Sequence, residues 1–345
     1  MIIEKIKNKI GIIYLDKAEK LNALDKKMVK DIKNTMEKWE NNDNIKAILF
    51  DSKVEKGFSA GGDLKEIYED IIDKELYDKD RFFVEEFDLD KYVINYKKPI
   101  ISHWFGVTMG GGVGLTINSD FIITDQTVNW AMPETRLGFV PDVGVGKHIS
   151  KLPQALGQYV GLTGARLFPD DLVKYNIAHI LIDKNSYESL IEKLFEISEK
   201  YEAEKLLEEF KKEASKYAKE LKETENDKNK EKIEKYFKKE SIEEIIKELE
   251  ENQDNDFAKK TLENIKKCSP FMLKVQFEKY FLGKEISQEE TYDLDLKIIN
   301  YAIKKAYIQE GIRIQIIDKE DKPNWPSKSL LDIDDSEVKE LLIIE

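Results

Sequence analysis

Short apolar, β-rich runs alternate with helical stretches and glycine turns from residue 2 to about residue 183. The first run, IIEKIKNKIGIIYLD, predicts a hairpin that turns between Asn8 and Gly11. A helix is predicted next, with Asp25 as its N-cap and with apolar residues at helical spacing at Met28, Ile32, Met36 and Trp39. This alternation is typical of βαβ units and predicts an α/β layer fold.

Three apolar runs of strand length follow the first helix, and each ends near a glycine or a polar turn. The runs IKAILFDS, KPIISHWFG and DFIITD therefore predict buried strands. Helices are predicted over residues 156–162 and 169–175, and they lead into a last strand, HILID.

The composition changes to Lys, Glu and Leu between residues 184 and 265, with helical periodicity and almost no glycine or proline. The apolar spacing does not hold a strict heptad, which favours helices with a solvated face over a coiled coil. Two further amphipathic helices are predicted over 269–281 and 288–307, with Pro270 at a helix start and Gly283 after a helix end. We predict a core at 1–183, a charged helical segment at 184–265 and a C-terminal helical region with a short terminal extension at 266–345.

The net charge of −13 argues against a nucleic-acid partner, because phosphate binding needs a basic stripe. No run of about 18 apolar residues is present, so we expect no membrane span. A single cysteine, Cys268, cannot form an intramolecular disulfide, and the N-terminal residues lack the pattern of a signal or transit peptide. These features predict a protein of a reducing compartment, the cytoplasm, in which Cys268 packs in the interior.

Two glycine-rich stretches, GFSAGGDLKEIYE and GVTMGGGVGLTINSD, each follow a strand and open a helical pattern. Glycines let a backbone approach a ligand closely, and the free amides at a helix start favour negative charge. A tight turn in the first stretch and close helix packing in the second are the alternatives. Neither stretch has the spacing of a dinucleotide-binding or nucleotide-hydrolysing loop.

A third stretch, WAMPETRLGFVPDVGVG, places Glu134 and Asp142 directly after prolines and among apolar residues. Carboxyls in such surroundings have raised proton affinity, which suits acid–base catalysis or nucleophilic attack, although each could instead cap a helix. The sequence has no Ser-His-Asp signature, and His103 is interpreted as a core residue of a buried strand. With no HExxH motif or Cys/His cluster, we expect no metal.

Together the three stretches resemble the crotonase, or enoyl-CoA hydratase/isomerase, superfamily, and within it the branch that hydrolyses 3-hydroxyisobutyryl-CoA. The resemblance is carried by TMGGGVGL, MPETRLGFVPDVG, LTGARL and EGIRIQIIDKEDKPNW, and it covers nearly the whole chain. It implies a crotonase-like spiral of βαβ turns with a helical C-terminal region. It also implies an acyl-CoA thioester hydrolase of valine breakdown that needs no cofactor, since coenzyme A is part of the substrate.

The same resemblance assigns roles to five residues. The amides of Gly62 and Gly111 would form the oxyanion hole, while Glu134 would activate water or attack the thioester itself. Asp142 would orient the water or the acyl hydroxyl and help with proton transfer, and Glu86 would contact the substrate near that hydroxyl.

For coenzyme A, the resemblance points to Ala23 and Ala60 beside the adenine and to Lys56 as a phosphate contact. A lysine in a loop is more often simply solvated. The catalytic glutamate that hydratases carry three residues beyond the oxyanion glycine is replaced by Gly114, which makes hydration less expected. Enoyl-CoA hydratase or isomerase activity and non-catalytic acyl-CoA binding remain alternatives, and a homo-oligomer, common in the superfamily, stays open.

Overall fold

The structure of the protein is a computed structural model that describes residues 1–73, 75–319 and 322–344. Within these residues the strands are β1 (Ile2–Lys7), β2 (Ile10–Leu15), β3 (Ala47–Ser52), β4 (Gly57–Ser59), β5 (Ile100–Trp104), β6 (Val107–Met109), β7 (Phe121–Asp125), β8 (Asn129–Ala131) and β9 (Ile180–Ile182). The helices up to residue 214 are α1 (Lys26–Glu40), α2 (Leu64–Ile72), α3 (Arg81–Ile94), α4 (Gly111–Ile117), α5 (Val145–Ile149), α6 (Gln154–Thr163), α7 (Pro169–Lys174), α8 (Tyr187–Ser198) and α9 (Ala203–Ala214). The later helices are α10 (Glu225–Lys228), α11 (Lys230–Phe237), α12 (Ile242–Glu250), α13 (Asp256–Ile265), α14 (Pro270–Glu285), α15 (Gln288–Lys304), α16 (Tyr307–Ile312) and α17 (Asp335–Leu341).

The chain forms two compact units, each assembled from separate stretches of sequence. The first unit comprises Met1–Gly62, Glu85–Trp130 and Leu167–Thr224. The second unit comprises Asp63–Val84, Ala131–Arg166 and Glu225–Glu345. The expected division into three consecutive domains stays a prediction.

The first unit is built on a six-stranded sheet with the order β1-β2-β3-β5-β7-β9. The β1–β2 pair is antiparallel, whereas each later neighbour in the sheet pairs in parallel. The predicted hairpin is confirmed, with Asn8 left-handed at φ 53° in its turn, while Gly11 already lies in β2. The parallel strands with intervening helices confirm the predicted α/β class.

Helices α8 and α9 supply much of the apolar core of the first unit. Leu190, Leu194 and Phe210 are buried in one cluster with Leu49 of β3 and Ile101 of β5. Each such side chain stabilises the fold by about 1.5–3 kcal/mol relative to an exposed position. The charged faces of these helices are therefore the outer faces of core elements.

Helix α1 forms where the apolar spacing predicted a helix. The Asp25 carboxylate accepts a hydrogen bond from the Met28 amide at 2.7 Å, which confirms the predicted N-cap. The helix buries Trp39, and a β-carbon on Gly11 would lie 2.6 Å from the Trp39 ring. Glycine at position 11 therefore lets α1 pack closely against β2.

Two helix ends of the second unit differ from the sequence prediction. Gly283 lies inside α14, not after its end, so that prediction was wrong. A β-carbon on Gly283 would lie 3.0 Å from the Ser150 β-carbon, so glycine serves close packing there. The helix predicted over 288–307 ends at Lys304, because Ala306 takes a left-handed conformation with φ 63° before α16 begins.

The structure agrees with the sequence on two further points. Cys268 is a buried free cysteine, as predicted. In the part of the chain that the structure describes, every helix is too short or too polar to cross a membrane.

Candidate active site

Two loops of the first unit are held together by backbone hydrogen bonds. The Ala60 amide donates to the Leu21 carbonyl at 2.9 Å, and the Leu24 amide donates to the Gly61 carbonyl at 2.7 Å. These bonds align the turn that carries Ala23 with the first glycine-rich stretch. Position 61 favours glycine, because its backbone φ of 98° is one that other residues rarely adopt.

Gly62 and Gly111 come together in the first unit. A β-carbon built on Gly111 would lie 3.5 Å from the Gly62 nitrogen. Gly111 is the first residue of α4, where an amide has no acceptor within the helix. Among the described residues neither amide donates a hydrogen bond, so the first unit presents two neighbouring donors. Such a pair suits a developing oxyanion, and the assignment of this role stays a prediction.

The carboxylate of Glu86 lies against the second of these glycines. Glu86 is only 3% exposed, and its Oε1 atom would be 2.0 Å from a β-carbon on Gly111. Any side chain at position 111 would therefore displace Glu86. The structure places Glu86 beside the predicted oxyanion donors, where a substrate contact was expected.

The three residues expected at coenzyme A differ in accessibility. Lys56 and Ala60 are exposed, and the Lys56 carbonyl accepts a hydrogen bond from the Val107 amide at 3.0 Å. The Ala23 side chain is largely covered, and its carbonyl accepts a hydrogen bond from the Lys17 ammonium at 3.2 Å. Lys56 and Ala60 thus offer side chains to a ligand, whereas Ala23 offers mainly the shape of its turn.

Glu134 and Asp142 belong to the second unit, and local turns fix both. Glu134 is the first residue of a 3-10 turn, Glu134–Leu137, that follows Pro133. The Asp142 carbonyl accepts a hydrogen bond from the Val145 amide at 2.9 Å, at the start of α5. The cap positions of these two elements are Pro133 and Gly144. The alternative that either carboxylate caps a helix is therefore wrong.

Both carboxyls are buried and hold their protons unusually tightly. Glu134 is 3% exposed and Asp142 is 4% exposed, and Oε2 of Glu134 has no hydrogen-bond partner among the described residues. Burial, with the nearby Asp142, raises the pKa of Glu134 well above its usual range. Burial, with the charge of Asp295, raises the pKa of Asp142 to about 8.

A buried ion pair, missed by the sequence analysis, lies next to Asp142. Lys279 of α14 is 2% exposed and pairs with the fully buried Asp295 of α15. The Lys279 ammonium also donates to the Pro141 carbonyl at 2.5 Å, and Asp295 accepts the Gly144 amide at 3.0 Å. Lys279 lowers the pKa of Glu134 and of Asp142, which partly offsets the effect of burial.

The signal for this pair was present in the helical pattern. Asp295 stands on the apolar face of α15, between the buried residues Tyr292 and Ile298. Lys279 follows Val275 by one turn on the buried face of α14. A charged residue on an apolar helix face needs a partner, and here the two partners satisfy each other.

The second unit therefore holds two carboxyls with raised pKa, and a buried ion pair fixes the turn that carries Asp142. A raised pKa brings the proton transfer of a carboxyl closer to neutral pH, which suits general acid–base catalysis. An ionised carboxylate in an apolar site is also a reactive nucleophile.

The chain is similar to known proteins over nearly its whole length. A family model described as enoyl-CoA hydratase/isomerase matches residues 10–342. The chain is 32% identical to a mitochondrial 3-hydroxyisobutyryl-CoA hydrolase of Gallus gallus, with 94% of this chain and 84% of that protein covered. It is 31% identical to the protein of the same name from Homo sapiens, with 98% of this chain and 87% of that protein covered.

The fold is shared with solved structures as well. The chain matches an enoyl-CoA hydratase from Rhodobacter sphaeroides with a TM-score of 0.87 and 27% identity, covering 99% of this chain and 96% of that chain. This agreement confirms the crotonase-like fold that the sequence predicted. The chain belongs to the enoyl-CoA hydratase/isomerase family, the crotonases, and is an enzyme of that family.

Proposed function

We propose that the protein hydrolyses short 3-hydroxyacyl-CoA thioesters, with 3-hydroxyisobutyryl-CoA as its preferred substrate and 3-hydroxyisobutyrate and coenzyme A as products. The observation that carries this proposal is the buried pair of carboxyls, Glu134 and Asp142, with the ion pair that supports it. The names of the relatives at 31–32% identity support the choice of substrate.

In the proposed reaction, ionised Glu134 removes a proton from water, or attacks the thioester carbonyl carbon directly. The carbonyl oxygen then becomes an oxyanion, and the amides of Gly62 and Gly111 stabilise it. The carbon–sulfur bond breaks when this intermediate collapses, and the leaving thiolate takes a proton from a carboxyl. In the direct route, water then opens the anhydride between Glu134 and the acyl group. Both routes use the same residues and need no cofactor beyond the coenzyme A of the substrate.

Asp142 is the group that separates the proposed hydrolase from a hydratase. In a hydratase of this family, a second catalytic glutamate stands at the position that corresponds to Gly114. Glycine has no side chain, so this chain lacks that carboxylate. The second carboxyl in this chain is instead Asp142, whose raised pKa keeps a proton available for the leaving group or the substrate hydroxyl. This replacement favours hydrolysis over hydration.

Hydration remains the second candidate, because a solved enoyl-CoA hydratase shares the fold at 27% identity. Crotonyl-CoA tests it, since hydration removes the absorbance of the conjugated enoyl group. In parallel, a thiol reagent follows the release of coenzyme A from 3-hydroxyisobutyryl-CoA. We expect thiol release and no loss of enoyl absorbance. Fast hydration without thiol release would contradict the proposal, and acyl-CoA binding without either reaction would indicate a non-catalytic binding protein.

Two further proposals concern the cellular context. The relatives are named as mitochondrial proteins, whereas the cytoplasmic location of this chain is proposed from its single cysteine. A role in valine breakdown rests on the proposed substrate.

A further inference from the structure

A small cavity of the second unit lies beside the turn that carries Glu134. Its volume is about 180 Å³, and its walls include Arg136, Arg166, Tyr159, Thr261 and Asn264. Pockets for drug-sized ligands measure about 300–1,000 Å³, so this cavity fits a smaller molecule. None of the residues that line it is acidic, although the chain has 69 Asp and Glu against 56 Lys and Arg.

Both arginines face the cavity without a carboxylate partner among the described residues. Arg136 is half-buried, and its Nε atom is buried with no hydrogen-bond partner in the same part of the chain. Its polar neighbour is the thiol of Cys268, and burial raises the pKa of that thiol, which keeps it neutral. A neutral thiol is a weak acceptor and leaves the charge of Arg136 uncompensated.

Three further side chains of the wall are hydrogen-bond donors, whereas the Thr163 hydroxyl already donates to the Tyr159 carbonyl at 2.6 Å. The Tyr159 hydroxyl, the Thr261 hydroxyl and the side-chain amide of Asn264 make no hydrogen bond with the described residues. Burial raises the pKa of Tyr159, so its phenol keeps the proton and remains a donor. Two guanidinium groups and three neutral donors thus line one small volume, with Arg166 and Asn264 exposed to solvent.

We propose that this cavity is a binding site for a tetrahedral oxyanion of the phosphate class, held by Arg136 and Arg166 with Tyr159, Thr261 and Asn264 as neutral donors. Arginine forks match the oxygens of phosphate, and charge-assisted bonds of this kind are roughly twice as strong as neutral ones. The proposed anion site does not depend on the proposed hydrolysis. Its test measures anion binding and not turnover.

The bound anion joins three segments of the second unit. Arg136 belongs to the turn Glu134–Leu137, Arg166 follows α6, and Asn264 belongs to α13. The Thr135 hydroxyl already ties the turn to α6 by donating to the Leu162 carbonyl at 3.1 Å. An anion that neutralises both arginines therefore stabilises the turn that holds Glu134, and raises the melting temperature of the protein.

Calorimetric titration of the full chain with inorganic phosphate, and separately with sulfate and acetate, tests the proposal. We expect one saturable site for phosphate and for sulfate, and weaker binding of acetate. Arg136→Met should weaken phosphate binding by about tenfold or more, and Arg166→Met by a smaller factor because Arg166 is exposed. Phosphate should also raise the melting temperature of the native chain and not of the Arg136→Met variant.

Two control variants separate this site from general charge effects and from the coenzyme A contact. Lys151→Met removes one exposed positive charge of the second unit, and Lys56→Met removes the expected contact for a coenzyme A phosphate. Both should bind phosphate as the native chain does. Should Arg136→Met fail to fold, the exposed Arg166 provides the test on its own. The proposal is overturned if the native chain binds no phosphate or sulfate, if neither arginine substitution weakens binding, if acetate binds more tightly than phosphate, or if either control loses binding.

Discussion

Lys279 and Asp295 form a buried ion pair, with Lys279 only 2% exposed and Asp295 fully buried, in the second unit of the protein. Lys279 lowers the pKa of Glu134 and of Asp142, while Asp295 raises both, so the pair tunes the proton affinity of the proposed catalytic carboxyls. Neither Lys279 nor Asp295 has to touch substrate to affect the reaction. We regard them as positioning residues.

Replacing Lys279 by Met should leave Asp295 buried and uncompensated. Breaking a buried pair in this way typically costs about 3–5 kcal/mol of stability. The pKa values of Glu134 and Asp142 should also rise, which moves the pH dependence of kcat to higher pH. Urea unfolding and a pH–rate profile measure the two effects. Lys260→Met, at an exposed site of α13, is the control and should change stability by no more than about 0.5 kcal/mol. An unshifted pH profile in Lys279→Met would rule out the tuning role.

The native enzyme should gain activity as the pH rises. Glu134 acts in its ionised form, and burial raises its pKa, so the active fraction grows with pH until the carboxyl is deprotonated. Asp142 has a pKa of about 8, so loss of its proton above about pH 8 should lower kcat where it serves as an acid. A profile of kcat against pH with 3-hydroxyisobutyryl-CoA measures both limbs. A rate that is flat from about pH 5 to pH 9 would contradict the raised pKa values.

The Asp142→Asn variant should be more stable than the native protein at alkaline pH. The pKa of Asp142 is about 8 in the folded protein against 3.8 for an ordinary aspartate, so the folded state binds more protons than the unfolded state between these values. Stability from this group is therefore lost as the pH rises from about 4 to about 8. The melting temperatures of the native protein and of Asp142→Asn should agree near pH 4. Above about pH 8 the variant should melt at the higher temperature, by the largest margin. Asp254→Asn, at an exposed position, should show no such divergence.

Gly111→Ala should remove most of the activity. The added carbon would lie 2.0 Å from Glu86 Oε1, so the Glu86 carboxylate must move, and the Gly111 amide moves with its surroundings. Loss of an oxyanion donor typically lowers kcat by about 100- to 1,000-fold. The double variant Gly111→Ala with Glu86→Ala removes the clash and should recover stability in urea unfolding, while the missing Glu86 carboxylate keeps activity on 3-hydroxyisobutyryl-CoA low. Full activity in Gly111→Ala would contradict the expected displacement of the Glu86 carboxylate and of the Gly111 amide.

Glu86 should set the preference for a hydroxylated acyl group. A hydrogen bond to a charged group contributes about 1.5–3 kcal/mol, so Glu86→Gln should lower kcat/KM for 3-hydroxyisobutyryl-CoA by roughly tenfold or more. The value for isobutyryl-CoA, which lacks the hydroxyl, should change little. Asp88→Asn, on the exposed side of the same helix, serves as the control. Equal losses with the two substrates would argue against a contact with the hydroxyl.

The sequence predicted those parts of the molecule in which local pattern decides the structure. Asp25 and the apolar spacing after it predicted both the N-cap and the buried face of α1. The short apolar runs predicted strands of the main sheet. The proline-anchored stretch also identified Glu134 and Asp142 as unusual carboxyls. Those inferences needed only residues that are neighbours in the chain.

Features that depend on distant residues could not be predicted in the same way. Lys279 reaches the Pro141 carbonyl across 138 positions, and Asp295 reaches the Gly144 amide across 151. A helical pattern shows that a charged residue faces inward but does not show which partner it meets. Gly283 was misassigned for a related reason, because a glycine that permits close packing against Ser150 has the same local pattern as one that ends a helix.

The most direct test of the two-carboxylate hydrolase follows free thiol from 3-hydroxyisobutyryl-CoA with the native protein, Glu134→Gln and Asp142→Asn, while calorimetry measures acyl-CoA binding. The account predicts turnover by the native protein and, because acid–base groups contribute about 100- to 10,000-fold, a loss of that order in each variant with binding retained. Native turnover that survives in Glu134→Gln, or no thiol release by the native protein from this substrate or from 3-hydroxypropionyl-CoA, would contradict it.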